Sequence, residues 1–316
     1  MVRVAKHRFV DAHQYEAAIR AANVRGLSTT RGKFNADLLK VDFERLWMQS
    51  GQESLPISSH IDVPGDRAPI FFLTGSGEPS IQTSGLDLVP GQLLFWKGGS
   101  SHYQRVQRGR WGSMSLTPAD LATASIALVG KSIAPPNDTT IFKPTEGSME
   151  RLMSLHAEAR RLAEEAPDRI SHPEVGRALE NALVESMISC LSVSEEGSLR
   201  VLSHVHTRIM QRFEELVFEN AGRPLYLPEV CKKVGASERT LRRCCQEQLG
   251  VAPNRYLLLR RLHLAHRELM VCDPRAVTVT EVATSFGFWQ LGRFAGAYRA
   301  LFGESPIETL RRPRAH

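Results

Sequence analysis

The last third of the chain carries one helix–turn–helix pattern twice. Glu229-Val230-Cys231-Lys232-Lys233-Val234-Gly235 aligns with Glu281-Val282-Ala283-Thr284-Ser285-Phe286-Gly287 at an offset of 52 residues. Downstream the offset becomes 53: Leu241 matches Phe294, Gly250 matches Gly303 and Pro253 matches Pro306. The extra residue falls between the turn and the second helix, where a loop absorbs it. In each copy Gly sits where the turn needs a positive φ. Val230, Val234, Leu241 and Leu249, with Val282, Phe286, Phe294 and Phe302, have the spacing that locks two helices together.

The rest of this region is helical in pattern. The expected helices are 205–220, 227–234, 237–249 with Ser237 as N-cap, a connecting helix 254–271, 280–286, about 290–302, and 306–312. Upstream, residues 38–117 hold six or more short β-type runs divided by Gly, Pro, Asp and Ser, which predicts an antiparallel sandwich or barrel. Residues 1–35 read as an arm with one short helix near 12–22, and helices are expected from Pro118, over 148–163 and over 173–191. The stretch SVSEEGS, 192–198, reads as the linker. The expected fold class is α+β. Residues 1–195 form a β-rich domain with flanking helices, and 200–316 an all-α tandem helix–turn–helix domain.

Charge divides the chain in the same place. Residues 200–316 hold 19 Lys and Arg against 11 Asp and Glu, a net +8, whereas residues 1–199 are at −2. A basic part beside a near-neutral one suits a polyanion-binding module attached to something else. No apolar run approaches the roughly 18 residues of a membrane span, and the N-terminus lacks the apolar core of a signal peptide, so a cytoplasmic location without membrane partners is expected. Five cysteines with no C-x-x-C pair argue against a disulfide framework or a zinc site. Cys231 takes the slot of Ala283, and adjacent Cys244 and Cys245 diverge by about 100° on a helix. All three read as packing residues.

The second helix of a helix–turn–helix lies in the major groove and reads base edges from its N-terminal part. In module one its outward residues are Glu238, Arg239, Arg242, Arg243 and Gln246; arginine is suited to bidentate contact with guanine. Module two offers Trp289, Gln290, Arg293 and Arg299 around Gly292, Ala295 and Gly296, which suggests apolar approach to thymine methyls; Trp289 is equally placed to be a core anchor. Lys232, Lys233, Arg260, Arg261, Arg267, Arg299 and Arg312 are candidates for phosphate contacts, which position a protein without specifying sequence. The connecting helix should set the two reading helices about one DNA turn, roughly 34 Å, apart.

The segment GFWQLGRFAGAYRALFGESP, 287–306, resembles the signature of AraC/XylS-type transcriptional regulators, and LPEVCKKVGASERTLRRCCQEQLGVAPNRYLLLRRLHLA precedes it in the matching order. The resemblance covers about residues 205–312. It implies base reading by Arg239, Arg242 and Arg243 in module one and by Gln290 and Arg293 in module two; Gly296 departs from the pattern. FNADLLKVDFERLWMQ, LDLVPGQLLFWKGGSSHYQRV and WGSMSLTPADLA resemble the cupin-like sensor domain found in many of these proteins. This implies a small organic effector, a homodimer, promoter DNA and RNA polymerase as partners, and transcriptional activation.

For the effector pocket the candidates are Trp47, His60, Phe72, Trp96, His102 and Trp111, each of which also suits a plain core. A metalloenzyme on the same sheets would want clustered histidines, but the β region offers only His60 and His102, and His204-x-His206 lies near the linker. Neither a nucleotide-binding nor a nucleophile-elbow motif occurs, so no enzyme, cofactor or metal is expected. A purely architectural DNA binder would not need the large β-rich part. Ligand-dependent DNA affinity separates that reading from a sensor.

Overall fold

A computed structural model describes residues 2–75, 77, 80–83, 86–107, 109–192, 199–200, 204–220 and 223–312. The chain forms two compact units. The first comprises Met1–Gly26, Asn35–Ser54 and Ser59–Leu202, and the second Leu27–Phe34, Leu55–Ser58 and Ser203–His316. Residues 193–198, most of the expected linker, lie outside the described residues.

The N-terminal elements in chain order are β1 (Arg3–Phe9), α1 (Ala12–Ala18), β2 (Asn23–Ser28), β3 (Ala36–Asp42), β4 (Trp47–Glu53), β5 (Ile57–Val63), β6 (Ala68–Leu73), β7 (Ile81–Thr83), β8 (Leu86–Leu88), β9 (Leu93–Phe95), β10 (Ser100–Val106) and β11 (Gly109–Leu116). Then come α2 (Pro118–Val129), β12 (Thr140–Phe142), α3 (Glu146–Glu165), α4 (Pro167–Ser171), α5 (Pro173–Ser192) and β13 (Leu199–Arg200). The strands make two sheets, ordered β1-β3-β4-β11-β6-β9-β12-β13 and β2-β5-β10-β7-β8. The expected arm at 1–35 is therefore part of the sheets. β1 pairs antiparallel with β3, from Arg3 opposite Asp42 to Phe9 opposite Ala36. As an edge strand it keeps most of its side chains in solvent, and its sequence RVAKHRF lacks the apolar alternation that marks a half-buried strand.

Alternation along the larger sheet sets its two faces. Leu39, Val41, Met48, Ile70, Phe72, Met114 and Leu116 form one core with Met149 and Leu152 of α3 and Leu183, Met187 and Ile188 of α5. Both helices bury apolar stripes at helical spacing, as in Met149, Leu152, His156, Ala159 and Ala163. The run LLKVDFERLWMQ, which reads as one strand, is broken at residues 43–46 by a turn in which Phe43 N–H donates to the Leu46 carbonyl at 3.0 Å. Glu180 of α5 holds that turn. Its Oε1 accepts from Arg45 N–H at 2.7 Å and Leu46 N–H at 2.9 Å, and the carboxylate is buried.

The second unit is helical over 204–310: α6 (His204–Glu219), α7 (Leu227–Val234), α8 (Glu238–Leu249), α9 (Pro253–Val271), α10 (Val279–Ser285), α11 (Leu291–Phe302) and α12 (Pro306–Leu310). These follow the expected helices to within one or two residues, and several ends carry a local signal. Ser237, Thr278 and Ser305 cap helix starts with their hydroxyls, and Gly250 and Gly303 close helices in the left-handed region.

Glu180→Ala strips the acceptor from two turn amides and should lower stability by about 1–3 kcal/mol in denaturant melts. Glu180→Gln, which keeps one carbonyl acceptor, should lose less than Glu180→Ala.

Candidate nucleic-acid interface

In module one the turn between α7 and α8 is set by Gly235 at φ +73°, and Ser237 Oγ accepts from Thr240 N–H at 3.1 Å to start α8. Val230, Val234, Leu241, Cys244, Cys245 and Leu249 are buried between the helices and their neighbours. Cys245 Sγ lies 3.9 Å from Met210 Sδ of α6. Burial pushes the Cys244 and Cys245 thiols up, as befits packing residues. With that stripe inward, Arg239, Arg242 and Arg243 are exposed on the outer side of α8. Arg242 is paired with Glu238, and Arg243 Nε lies 2.7 Å from Glu247 Oε1, whose other oxygen meets His206 Nδ1 at 2.9 Å. Among the described residues Arg239 makes no ion pair. Exposed pairs of this kind are worth at most about 1 kcal/mol, so exchanging them for a guanine edge costs little.

Module two repeats the scaffold with different material. Thr278 and Glu281 form a reciprocal capping box at the start of α10. Gly287 turns at φ +74°, and a Cβ there would stand 2.3 Å from Pro224 Cγ. The core is aromatic: Phe288–Phe294 at 4.8 Å, Phe294–Tyr298 at 5.5 Å and Tyr298–Phe302 at 4.6 Å between ring centroids. Tyr298 donates to Thr309 Oγ1 at 2.8 Å. Phe288, not Trp289, is the anchor; Trp289 is 75% exposed.

Helices α8 and α11 are both 12 residues long, so the 53-residue offset aligns them end to end. Arg239, Arg242 and Arg243 then correspond to Gly292, Ala295 and Gly296, and Gln246 to Arg299. The outer face of α11 is thus nearly bare. Nothing lies within 4 Å of a Cβ built on Gly292 or Gly296. Gln290 is the N-cap of α11 and Arg293 sits in its first turn, both exposed.

The phosphate candidates divide. Lys232, Arg267 and Arg299 are exposed, and Lys233 is exposed with Nζ 3.3 Å from Glu229. Arg312 pairs with Glu304. Arg260 and Arg261 do not fit the role. Arg260 is largely buried with Nη1 3.7 Å from Glu214 Oε2. The Arg261 guanidinium lies 4.9 Å from the Phe288 ring, and its Nη1 donates to the Gly287 carbonyl at 3.4 Å. Both follow Leu259 and precede Leu262, which are fully buried, on a helix packed from several sides; their long stems are drawn into the fold.

The effector-pocket candidates also separate. Trp111, Phe71, Trp96 and His102 form a stacked ladder in the first unit, with centroid separations of 5.4, 5.7 and 6.4 Å. Gly51 makes room for it, since a Cβ there would stand 2.3 Å from the Trp111 ring. Phe72 is not in the ladder. It points to the opposite face, where it meets His156 edge-on at 5.1 Å. The run PIFFL is buried throughout, so its sequence does not show which Phe faces which side. Trp47 is half-buried under the Arg67 guanidinium at 3.9 Å, and His60 packs on Tyr103 beside Arg25 and Asp62. Missed in the sequence is Glu53, whose Oε1 accepts from Trp111 Nε1 at 2.7 Å and from the Tyr15 hydroxyl. Among the described residues, buried Glu53 Oε2, Trp96 Nε1, Gln104 Oε1 and Thr83 Oγ1 have no hydrogen-bond partner. Burial pushes Glu53 up to about 7 and holds His102 and His156 down to about 4. Among the described residues no group of three or more His, Cys, Asp or Glu is arranged to hold a metal ion.

Residues 230–312 match a family described as "Helix-turn-helix domain". The chain is 31% identical over 148 residues to the "Probable thc operon regulatory protein" of Rhodococcus erythropolis, covering 46% of this chain and 45% of that protein. It is 33% identical over 102 residues to the "XylDLEGF operon transcriptional activator 1" of Pseudomonas putida, covering 32% and 31%. The chain thus spans less than half the length of these curated relatives. A crystal structure of a probable AraC family transcriptional regulator from Rhodopseudomonas palustris is 36% identical, covering 34% of this chain and 98% of that one, with a TM-score of 0.31.

Two measurements check this geometry. Gly296→Ala places a methyl in open space on a helix and should raise stability by about 0.5–1 kcal/mol, whereas Gly287→Ala, at positive φ against Pro224, should lower it. For Glu53, the folded state keeps a proton that the unfolded chain releases near pH 4.5, so its contribution is complete below that pH and is lost as the pH rises through about 7. The two histidines act oppositely, losing stability as the pH falls from 6.5 towards 4. Relative to Glu53→Gln, in which the histidine contribution is unchanged, wild type should therefore become less stable between about pH 5 and pH 8.

Proposed function

From a C-terminal helix–turn–helix domain of the AraC/XylS type as its premise, we propose that the chain is a sequence-specific DNA-binding transcriptional activator controlled by a small organic effector. The observation that carries this reading is the outer side of α8. Three arginines stand opposite a fully buried stripe, at the N-terminal part of the helix that enters the major groove. Arg239 is ready for a guanine edge, and Arg242 and Arg243 exchange Glu238 and Glu247 for base or phosphate acceptors on docking. Lys232 and Lys233 on α7, with Arg267 and Arg299, supply phosphate contacts that fix orientation.

The effector belongs to the first unit. The Trp111–Phe71–Trp96–His102 ladder gives flat apolar area, and buried polar atoms of this unit without partners among the described residues, such as Trp96 Nε1 and Gln104 Oε1, would be satisfied by a ligand carrying both an acceptor and a donor. A homodimer acting with RNA polymerase completes the proposal, in keeping with the operon regulators to which part of the chain is similar.

Selection of bound duplexes from a random library by the full-length protein tests the reading. Recovery of one discrete sequence supports it; recovery of sequence-independent DNA overturns it in favour of an architectural binder. On the recovered duplex, Arg239→Ala should cost about 1–3 kcal/mol and relax preference at one base pair. Lys232→Ala should weaken all duplexes alike and reduce the slope of log affinity against log salt by about 1. Identical behaviour of the two variants would show that α8 is not the reading helix.

A further inference from the structure

Trp289 is the large side chain of the second module that the fold leaves uncovered. It is 75% exposed, directly between Phe288, which is buried against Phe294, and Gln290, which caps α11. The packing of the unit gives the indole nothing to do. Its apolar face and its N–H are both free to dock on a partner.

Its position says what the partner is. Trp289 stands at the leading end of the helix that aligns with α8, and Arg293 in the first turn and Arg299 in the last give that helix positive charge. The positions that carry Arg239, Arg242 and Arg243 in module one are Gly292, Ala295 and Gly296 here, so at these three positions α11 presents only small side chains, with Arg299 on the same side in its last turn. By the 53-residue offset this face of α11 corresponds to the face of α8 that carries the three arginines. In the major groove the one apolar group offered by a base edge is the C5-methyl of thymine. Gln290, beside the indole, carries the amide that pairs in bidentate fashion with adenine N6 and N7.

We infer that Trp289 is a specificity-determining contact of the second module, its indole lying against thymine methyl groups in the major groove. The inference rests on the DNA-binding function proposed above and assigns the two modules different chemistry. Module one selects guanine through guanidinium groups. Module two selects A·T pairs through an aromatic face, an amide and a close-lying backbone.

The test uses the full-length protein and the duplex recovered by selection, with thymines in the module-two half replaced one at a time by deoxyuridine, which lacks only the methyl group. Affinities of wild type, Trp289→Ala and Trp289→Phe are compared at one salt concentration. One or two replacements should weaken wild type about fourfold, the effect of burying one methyl-sized group. Trp289→Ala should bind the thymine duplex more weakly by a similar factor and ignore the replacement at those positions, with Trp289→Phe between the two. Because the side chain is exposed, thermal melts of the variants should coincide with wild type. If both proteins lose equally to deoxyuridine at every position, or Trp289→Ala weakens all duplexes alike, the inference is overturned. If Trp289→Ala binds every duplex as wild type does, it is also overturned, and the indole belongs to a protein contact. Wild-type preference for the selected duplex over a scrambled one stands apart from all these outcomes and reports only on the DNA-reading function.

Discussion

The left-handed turns at Gly235 and Gly287 are the constraint on which the helical unit depends. Each lets two helices leave the turn with their apolar stripes facing, which buries Val230, Val234 and Leu241 in one copy and Val282 and Phe294 in the other. A side chain at either glycine would force strained backbone, and at Gly287 it would also strike Pro224. Once the stripes are inward, the outer face of the second helix follows from helical geometry alone. The exposed arginine face of α8 is a by-product of the turn.

Most of the helical unit is legible in the sequence because its signals are local. Caps, closing glycines and a period near 3.6 lie within a few residues of what they specify. The repeat adds a second, independent copy of each signal. The β-rich unit is harder because its determinants are distant in sequence. β1 is a strand only because β3 lies beside it, and the break at residues 43–46 is held by Glu180, well over a hundred residues away. Phe71 and Phe72 illustrate the same limit at one position. In a strand buried on both faces, hydrophobicity carries no parity, and only the partner strands decide which ring joins the ladder.

Among charged residues, exposure rather than type decides the role. Arg260 and Arg261 look like phosphate ligands by composition, yet one is turned to Glu214 and the other to Phe288. Arg239, on a shorter and simpler amphipathic helix, has its place fixed by the buried Leu241 and Cys244 beside it. Glu53 escaped notice for the opposite reason. Its neighbours in the strand are polar or glycine, and nothing nearby in sequence announces a carboxyl buried under Trp111.

The buried stripe and the outer face of each reading helix have no residue in common. Leu241, Cys244, Cys245, Gln248 and Leu249 hold α8 in place, while Arg239, Arg242 and Arg243 touch nothing that the scaffold needs. Change on the outer face is therefore uncoupled from the packing: at aligned positions one helix carries three guanidinium groups and the other Gly292, Ala295 and Gly296.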